Sequence, residues 1–203
     1  MSLDTTPARP TTSDRLARLV TEIFAPAVWA AAMPLIVVAG AGVGLLAAGG
    51  WGLLTVVFSA VIPYGVIWLG VRRGQLTDHH IGKREQRRKP LVFGLASVLT
   101  GLILLIVLDA PSQLVGLVLV MLAVLLAATA VNLKWKLSAH TAVSGASVTV
   151  LTLAYGWAPL GAFLLVAAIG WSRVKLRDHT TAQVIAGACL GVILAAAVFT
   201  PFA

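Results

Sequence analysis

One segment of the chain places a histidine close to a glutamine and to an arginine, a residue type that binds anions. His179 and Gln183 are four residues apart at the start of the last long apolar run, and on a helix this spacing brings their side chains within hydrogen-bonding reach. The Gln183 carbonyl would hold one imidazole nitrogen and leave the other to attack. Arg173, at the end of the preceding apolar run, would bind the anion. The pattern predicts a nucleophile next to an anion clamp.

The same residues also fit a structural interpretation. Thr180 and Gln183 have the spacing of a capping box, in which the glutamine satisfies a backbone N–H group at the start of a helix. His179 would then be an interfacial histidine, and Arg173 a cation that reaches from the apolar run toward water. The residues of this segment, taken alone, leave both interpretations open.

A second segment has a serine and a histidine just before another long apolar run. Ser138 is a candidate N-cap, and the free backbone N–H groups at a helix N-terminus favour phosphate. His140 lies just inside this helix start, where it would donate a proton to a leaving oxygen. The structural alternative is a capped helix with an interfacial histidine.

A third segment is a loop rich in cations. Its basic residues between positions 83 and 89 are Lys83, Arg84, Arg87, Arg88 and Lys89. In a functional interpretation they clamp the non-bridging oxygens of a phosphate, for which the forked arginine side chain is suited. In a structural interpretation they form a solvated loop that sets membrane topology or contacts anionic lipid.

Membrane-spanning helices must position these three segments. Only 11% of the residues are charged and 59% are hydrophobic, with a mean hydropathy of +0.97, whereas a soluble domain has about 25% charged residues. A span needs roughly 20 apolar residues, so the sequence predicts an all-α, polytopic transmembrane bundle of about seven spans. These are 24–48, 51–71, 91–109, 112–133, 139–156, 158–173 and 179–201.

Short separators and small residues refine this architecture. Gly49–Gly50, Ala110–Pro111 and Trp157 are predicted as tight turns between spans. Two glycine pairs, Gly40 with Gly44 and Gly187 with Gly191, have the spacing of close helix packing. The domain division predicted is a polar tail with a short basic helix over residues 1–23, followed by one transmembrane domain over residues 24–203.

The distribution of basic residues predicts the orientation of the bundle. All lysines and arginines fall in four segments that seven spans place on one face, while the opposite face carries Asp109. The positive-inside rule then puts the basic face in the cytoplasm and the C-terminus outside, in a multi-pass protein of the plasma or inner membrane. Because topology and lipid contact account for the net charge of +8, no nucleic-acid partner is expected.

Together the three segments resemble the signature motifs of the type 2 phosphatidic acid phosphatase (PAP2) superfamily. In words these are K-x6-R-P, then P-S-G-H, then S-R-x5-H-x3-D. The third motif is matched at every spacing, from Ser172-Arg173 through His179 to Gln183.

The other two motifs are matched less closely. Leu137-Ser138-Ala139-His140 corresponds to the second motif, and Lys83 with Lys89-Pro90 corresponds to the first in a shifted register. The resemblance covers the motif-bearing core, about residues 72–195. It implies a PAP2-like helical core with the three segments on one membrane face.

The activity implied by the resemblance is a metal-independent phosphatase that uses no cofactor and works through a phosphohistidine. In it, His179 would attack phosphorus. His140 would protonate the leaving alkoxide and then activate the water that cleaves the intermediate. The phosphoryl oxygens would be held by Arg173, Ser138 and the backbone at Ala139.

The first motif has no unambiguous counterpart. The resemblance offers Lys83, Arg84, Arg87 and Arg88 as further phosphate ligands, and Arg84 and Arg87 rank highest among them.

Two substitutions depart from the superfamily pattern. Gln183 replaces an aspartate, and a neutral amide orients an imidazole but stabilises its cationic form less. Ala139 replaces a glycine, which makes the backbone approach to phosphate slightly less close. Both are consistent with an unusual substrate or with a site of low activity.

The leading hypothesis is therefore an integral membrane phosphatase for a lipid monophosphate or diphosphate. Polyprenyl-phosphate derivatives, prenyl (di)phosphates, phosphatidate and phosphatidylglycerophosphate are the candidate substrates and partners. The alternative is a catalytically weak or inactive PAP2-like protein that binds or transports phospholipid. A third hypothesis, a basic loop that recruits a cytoplasmic protein, leaves the second and third segments unexplained. The oligomeric state stays open.

Overall fold

The computed structural model describes residues 11–78, 86 and 88–203, and within them the chain is helical without β-strands. The α-helices in chain order are α1 (Thr12–Ile23), α2 (Pro26–Ala39), α3 (Leu45–Val56), α4 (Ile62–Arg72), α5 (Arg88–Val107), α6 (Ser112–Asn132), α7 (Ala139–Tyr155), α8 (Phe163–Lys175) and α9 (Thr181–Phe199). A π-helical turn, Val57–Val61, joins α3 to α4, and 3₁₀ turns precede α8 and follow α9. The predicted all-α bundle is confirmed.

The helices long and apolar enough to cross a membrane number five within the described residues. They are Leu45–Arg72, Lys89–Val107, Ser112–Asn132, Ala158–Lys175 and Thr181–Phe202. The pair α1 and α2, bent by 45° at its junction, gives a sixth if it forms one span. Seven spans were predicted, and the difference lies partly in α7, whose 17 residues make it shorter than these segments.

The predicted turn at Gly49–Gly50 is wrong. Both glycines lie inside α3, and the chain reverses at residues 40–44 instead. The reason is a tertiary contact. The Tyr155 hydroxyl donates a hydrogen bond to the Ile36 carbonyl (2.6 Å), and a Cβ on Gly40 would collide with the tyrosine ring. Gly42 then takes a left-handed conformation (φ 71°), which glycine adopts readily.

Helix α3 continues into α4 through the π-helical turn, which explains the 28-residue segment Leu45–Arg72. Pro63 lies in the first turn of α4. A proline inside a helix has no N–H to donate and clashes with the carbonyl four residues earlier. The wider turn at Val57–Val61 relieves both constraints without ending the helix.

The closest helix pair is α7 with α9, and glycines permit it. A Cβ on Gly191 would collide with the Ala142 carbonyl, and one on Gly187 would meet Thr141 Oγ1 and the Ser138 carbonyl. The predicted close packing is thus confirmed for this glycine pair. For the pair Gly40 and Gly44 it is not, because Gly44 faces open space.

The turns between the helices lie at the two ends of the bundle. At one end, which we call the basic end, the turns 133–138 and 176–180 meet, since Lys136 Nζ donates to the Asp178 carbonyl (2.6 Å). At the other end, one groove is lined by the turn after α2, by Asp109 and by the C-terminal residues. The predicted placement of Asp109 on the face opposite these basic turns is therefore confirmed.

Candidate active site

A tight turn closes the five-residue interval between Arg173 and His179. The Arg173 carbonyl accepts hydrogen bonds from the backbone N–H groups of Asp178 (3.0 Å) and His179 (3.2 Å). Arg177 adopts a left-handed conformation (φ 57°) to allow this reversal. The spacing S-R-x5-H thus has a local physical cause: it is the length of chain that returns the histidine to the end of α8.

Gln183 interacts with two neighbours through one oxygen atom. Its Oε1 lies 3.1 Å from Nδ1 of His179 and accepts the backbone N–H of Thr180 (3.2 Å). The Thr180 hydroxyl in turn accepts the Gln183 N–H (3.3 Å), which completes a capping box. The structural interpretation, a capping box, is therefore confirmed, and the same Gln183 oxygen also contacts His179.

The capping interaction also fixes the tautomer of His179. A backbone N–H only donates, so the Gln183 atom that faces Thr180 must be the oxygen. Nδ1 of His179 then donates its proton to that oxygen, and in the neutral ring the lone pair lies on Nε2. The ring is buried, with 7% of the residue exposed. The hydrogen bond to Gln183 thus fixes the orientation of the His179 ring.

The Arg173 guanidinium is buried and only partly satisfied. The residue is 5% exposed, and Nη2 forms an ion pair with Asp178 Oδ2 at 3.1 Å. Among the described residues, Nε and Nη1 have no hydrogen-bond partner. Because a buried, unsatisfied charged donor is costly, these two nitrogens are suited to an anion that supplies the missing acceptors.

Ser138 caps the helix that carries His140. Its backbone is extended and its hydroxyl accepts the Thr141 N–H (3.5 Å), so the predicted N-cap is confirmed. Ala139 is the first residue of α7, and His140 is buried in the first turn. The N-terminus of α7, with its positive dipole end, therefore lies at the basic end of the bundle.

Backbone contacts bring the second and third motifs side by side. The Ser138 N–H donates to the Gln183 carbonyl (3.4 Å), and Gly187, one turn further along α9, lies against Thr141. Lys136 adds the bond to the Asp178 carbonyl described above. The starts of α7 and α9 and the end of α8 thus converge, which places His140, His179 and Arg173 in one region.

The structure describes no side-chain positions for the predicted residues of the first motif. Lys83, Arg84 and Arg87 lie outside the described residues, and for Arg88 the structure describes only its backbone place at the start of α5.

Two participants were missed by the sequence reasoning. They are Lys136 and Asp178, neither of which is among the residues that the sequence predicts for the site. A signal for Asp178 was available, because the chain has only seven acidic residues and this one precedes the candidate nucleophile. No sequence signal pairs Lys136 with a carbonyl 42 residues away. In the described part of the chain, no group of three or more histidine, cysteine or acidic side chains is arranged to hold a metal ion.

Fold and site together define a helical membrane protein with two buried histidines and a buried arginine where three helix ends converge. Residues 132–202 match the family model of the PAP2 superfamily. The match includes the second and third motifs, so it confirms the resemblance over this part of the chain and supports phosphatase activity on phosphate esters. The first motif lies outside the matched residues. Comparisons with curated proteins and with solved structures find no match.

Proposed function

We propose that the protein is an integral membrane phosphatase that hydrolyses a lipid monophosphate or diphosphate through a phosphohistidine, without a metal ion. The observation that carries this proposal is the buried Arg173, whose Nε and Nη1 lack partners among the described residues, in the same turn as a histidine oriented by Gln183. An oriented imidazole beside an unsatisfied guanidinium suits phosphoryl transfer, in which charge builds on the transferring oxygens.

In the first step, Nε2 of His179 attacks phosphorus and the bond from phosphorus to the ester oxygen breaks. The Arg173 guanidinium, the Ser138 hydroxyl and the backbone N–H of Ala139 hold the non-bridging oxygens. Protonated His140 gives its proton to the leaving oxygen, so the lipid departs as an alcohol, or as a monophosphate when the substrate is a diphosphate.

In the second step, neutral His140 takes a proton from a water molecule, whose oxygen attacks the phosphohistidine. The bond between nitrogen and phosphorus breaks, and inorganic phosphate leaves. His140 is again protonated and His179 is again neutral, so the cycle closes without an external cofactor.

A lipid substrate is supported by where the residues lie. His179 and Arg173 are at the ends of apolar helices, which is the depth at which phospholipid headgroups meet water. With the basic end in the cytoplasm, substrates made in the inner leaflet are favoured. These are polyprenyl-phosphate sugar phosphates, prenyl (di)phosphates, phosphatidate and phosphatidylglycerophosphate.

The test is phosphate release from a panel of these lipids by purified protein in nanodiscs. We expect His179→Ala to abolish release and His140→Ala to lower it by about 10²–10⁴-fold. Ser112→Ala, in the groove at the opposite end, is the control and should keep full activity. Full activity in both histidine variants would refute the proposal.

A second candidate function is binding or transport of phospholipid without turnover. It is favoured by the neutral Gln183 in place of an aspartate and by Asp178, which already occupies one side of Arg173. Wild-type protein that binds a phospholipid in an Arg173-dependent manner, yet releases no phosphate from any lipid of the panel, would establish it.

A further inference from the structure

Helix α1 has three longitudinal strips, each with its own chemistry. Asp14, Ala17 and Thr21 form one strip, Arg15, Arg18 and Glu22 a second, and Leu16, Leu19 and Ile23 a third. Successive residues of an α-helix turn by about 100° around its axis. The second strip therefore lies about 100° from the first, and the third lies nearly opposite the first.

The first strip attaches α1 to α8. Ala17 is fully buried, and Thr21 Oγ1 lies 3.1 Å from Ser172 Oγ. Because Ser172 donates its proton to the Ile169 carbonyl (2.7 Å), Thr21 is the donor. Asp14 forms an ion pair with Lys175 at 3.6 Å. Helix α1 is thus fixed along the last turns of α8.

The third strip faces away from the protein and is apolar. Leu16, Leu19 and Ile23 are each about half exposed, Leu19 the most at 55%. Acyl chains are the cover that fits this strip, because the next helix, α2, is an uninterrupted apolar segment beginning at Pro26. The bend of 45° between α1 and α2 lets α1 run obliquely at the membrane surface.

The second strip carries exposed cations at the side of the helix. Neither Arg15 nor Arg18 has an ion-pair partner among the described residues, and both are exposed. A helix with separate apolar and cationic faces is typical of one that lies in the plane between headgroups and acyl chains. Cations at that depth attract anionic phosphate groups.

From these strips we infer that α1 is an interfacial helix that binds anionic phospholipid. The apolar strip enters the acyl chains, and Arg15 and Arg18 bind the phosphate groups of surrounding lipids. Arg15, Arg18 and the three apolar residues are not part of the candidate active site, and the inference does not depend on the proposed phosphatase activity.

The depth of α1 is testable with a fluorescent probe. The full chain is prepared with Cys189→Ala, which removes its single cysteine, and Leu19→Cys is labelled with an environment-sensitive dye in liposomes. We expect quenching by doxyl-labelled phosphatidylcholine and protection from aqueous iodide. A probe at Arg15→Cys should show the opposite pattern. A Leu19 probe that is quenched by iodide and not by doxyl lipid would overturn the inference.

The lipid preference is tested with the same Leu19 probe. Quenching by doxyl-labelled phosphatidylglycerol should exceed quenching by doxyl-labelled phosphatidylcholine at least about twofold, because two cations enrich anionic lipid locally. The double variant Arg15→Gln with Arg18→Gln should bring the ratio to unity. Arg73→Gln, at the exposed end of α4, is the matched control and should leave it unchanged. A ratio insensitive to the double variant would refute anionic lipid binding.

Discussion

At the scale of single residues, several polar groups of the site each take part in more than one interaction. One oxygen of Gln183 caps α9 and orients His179, and the carbonyl of Arg173 closes the turn that returns the histidine. The Nη2 atom of the Arg173 side chain forms an ion pair with Asp178. Substitutions at Gln183 and Asp178 therefore separate charge effects from positioning effects.

Gln183→Asp adds a negative charge where the superfamily motif has one. Capping tolerates the change, because Asp14 plays the same role with Thr11 at the start of α1. A carboxylate beside His179 favours the protonated imidazole, and a protonated ring cannot attack. We expect the acidic limb of the pH profile of kcat/KM to move to higher pH. The measurement is phosphate release between about pH 4 and pH 9, in steps of about half a pH unit. An unchanged profile would show that this residue does not act on the nucleophile.

Asp178→Asn removes the ion-pair partner of Arg173, which under the proposed function competes with substrate for the guanidinium. The Asp178 side chain is 42% exposed, so the ion pair is screened and its loss is mild. We expect KM for the lipid phosphate to fall roughly twofold to fivefold, with stronger inhibition by inorganic phosphate. A rise in KM would mean instead that Asp178 positions the guanidinium for substrate. The folded yield of the variant, checked by size-exclusion chromatography, is the control.

At the scale of elements, the site depends on the close approach of α7 to α9. Their starts carry the second and third motifs, and a hydrogen bond from Ser138 to Gln183 connects them. Gly187 and Gly191 make this approach possible, since side chains there would meet backbone atoms of α7. Helix α8 completes the site from its C-terminal end, where α1 attaches.

Gly191→Ala tests the helix contact away from the reacting groups. Its Cβ would overlap the Ala142 carbonyl, and such overpacking costs about 1–3 kcal/mol. We expect a lower unfolding temperature in detergent and reduced activity. Gly65→Ala, a helical glycine with no atom within 4 Å of the added Cβ, is the matched control and should change stability by less than about 1 kcal/mol. Equal effects of the two substitutions would contradict the contact.

At the scale of the whole molecule, the two ends of the bundle differ in charge. Basic turns meet at one end, while Asp109 and the C-terminal residues share a groove at the other. This polarity is what the positive-inside rule uses to predict orientation.

The orientation is tested by fusing reporters after Ala203. We expect a periplasmic or extracellular alkaline phosphatase fusion to be active and a green fluorescent protein fusion to be dark, because the C-terminus lies opposite the basic end. Fluorescence confined to the cytoplasm would reverse the orientation and would favour substrates of the outer leaflet. Fusions after Val107, at the same end of the bundle, should give the same result.

The sequence by itself determined the features that arise within a few residues of the chain. Helical apolar segments, the Ser138 cap, the Thr180–Gln183 capping box and the spacing from Arg173 to His179 all follow from local hydrogen bonds and hydrophobicity. These are short-range interactions, so reading the chain in order is sufficient to predict them.

Only the tertiary structure decided which of these local features meet. The chain turns at residues 40–44, where Tyr155 contacts Gly40, and not at Gly49–Gly50, where the sequence predicted a turn. Lys136 reaches the Asp178 carbonyl, and α7 and α9 approach until backbone contacts backbone. Such contacts join residues tens of positions apart and depend on how whole helices pack, which no local pattern contains.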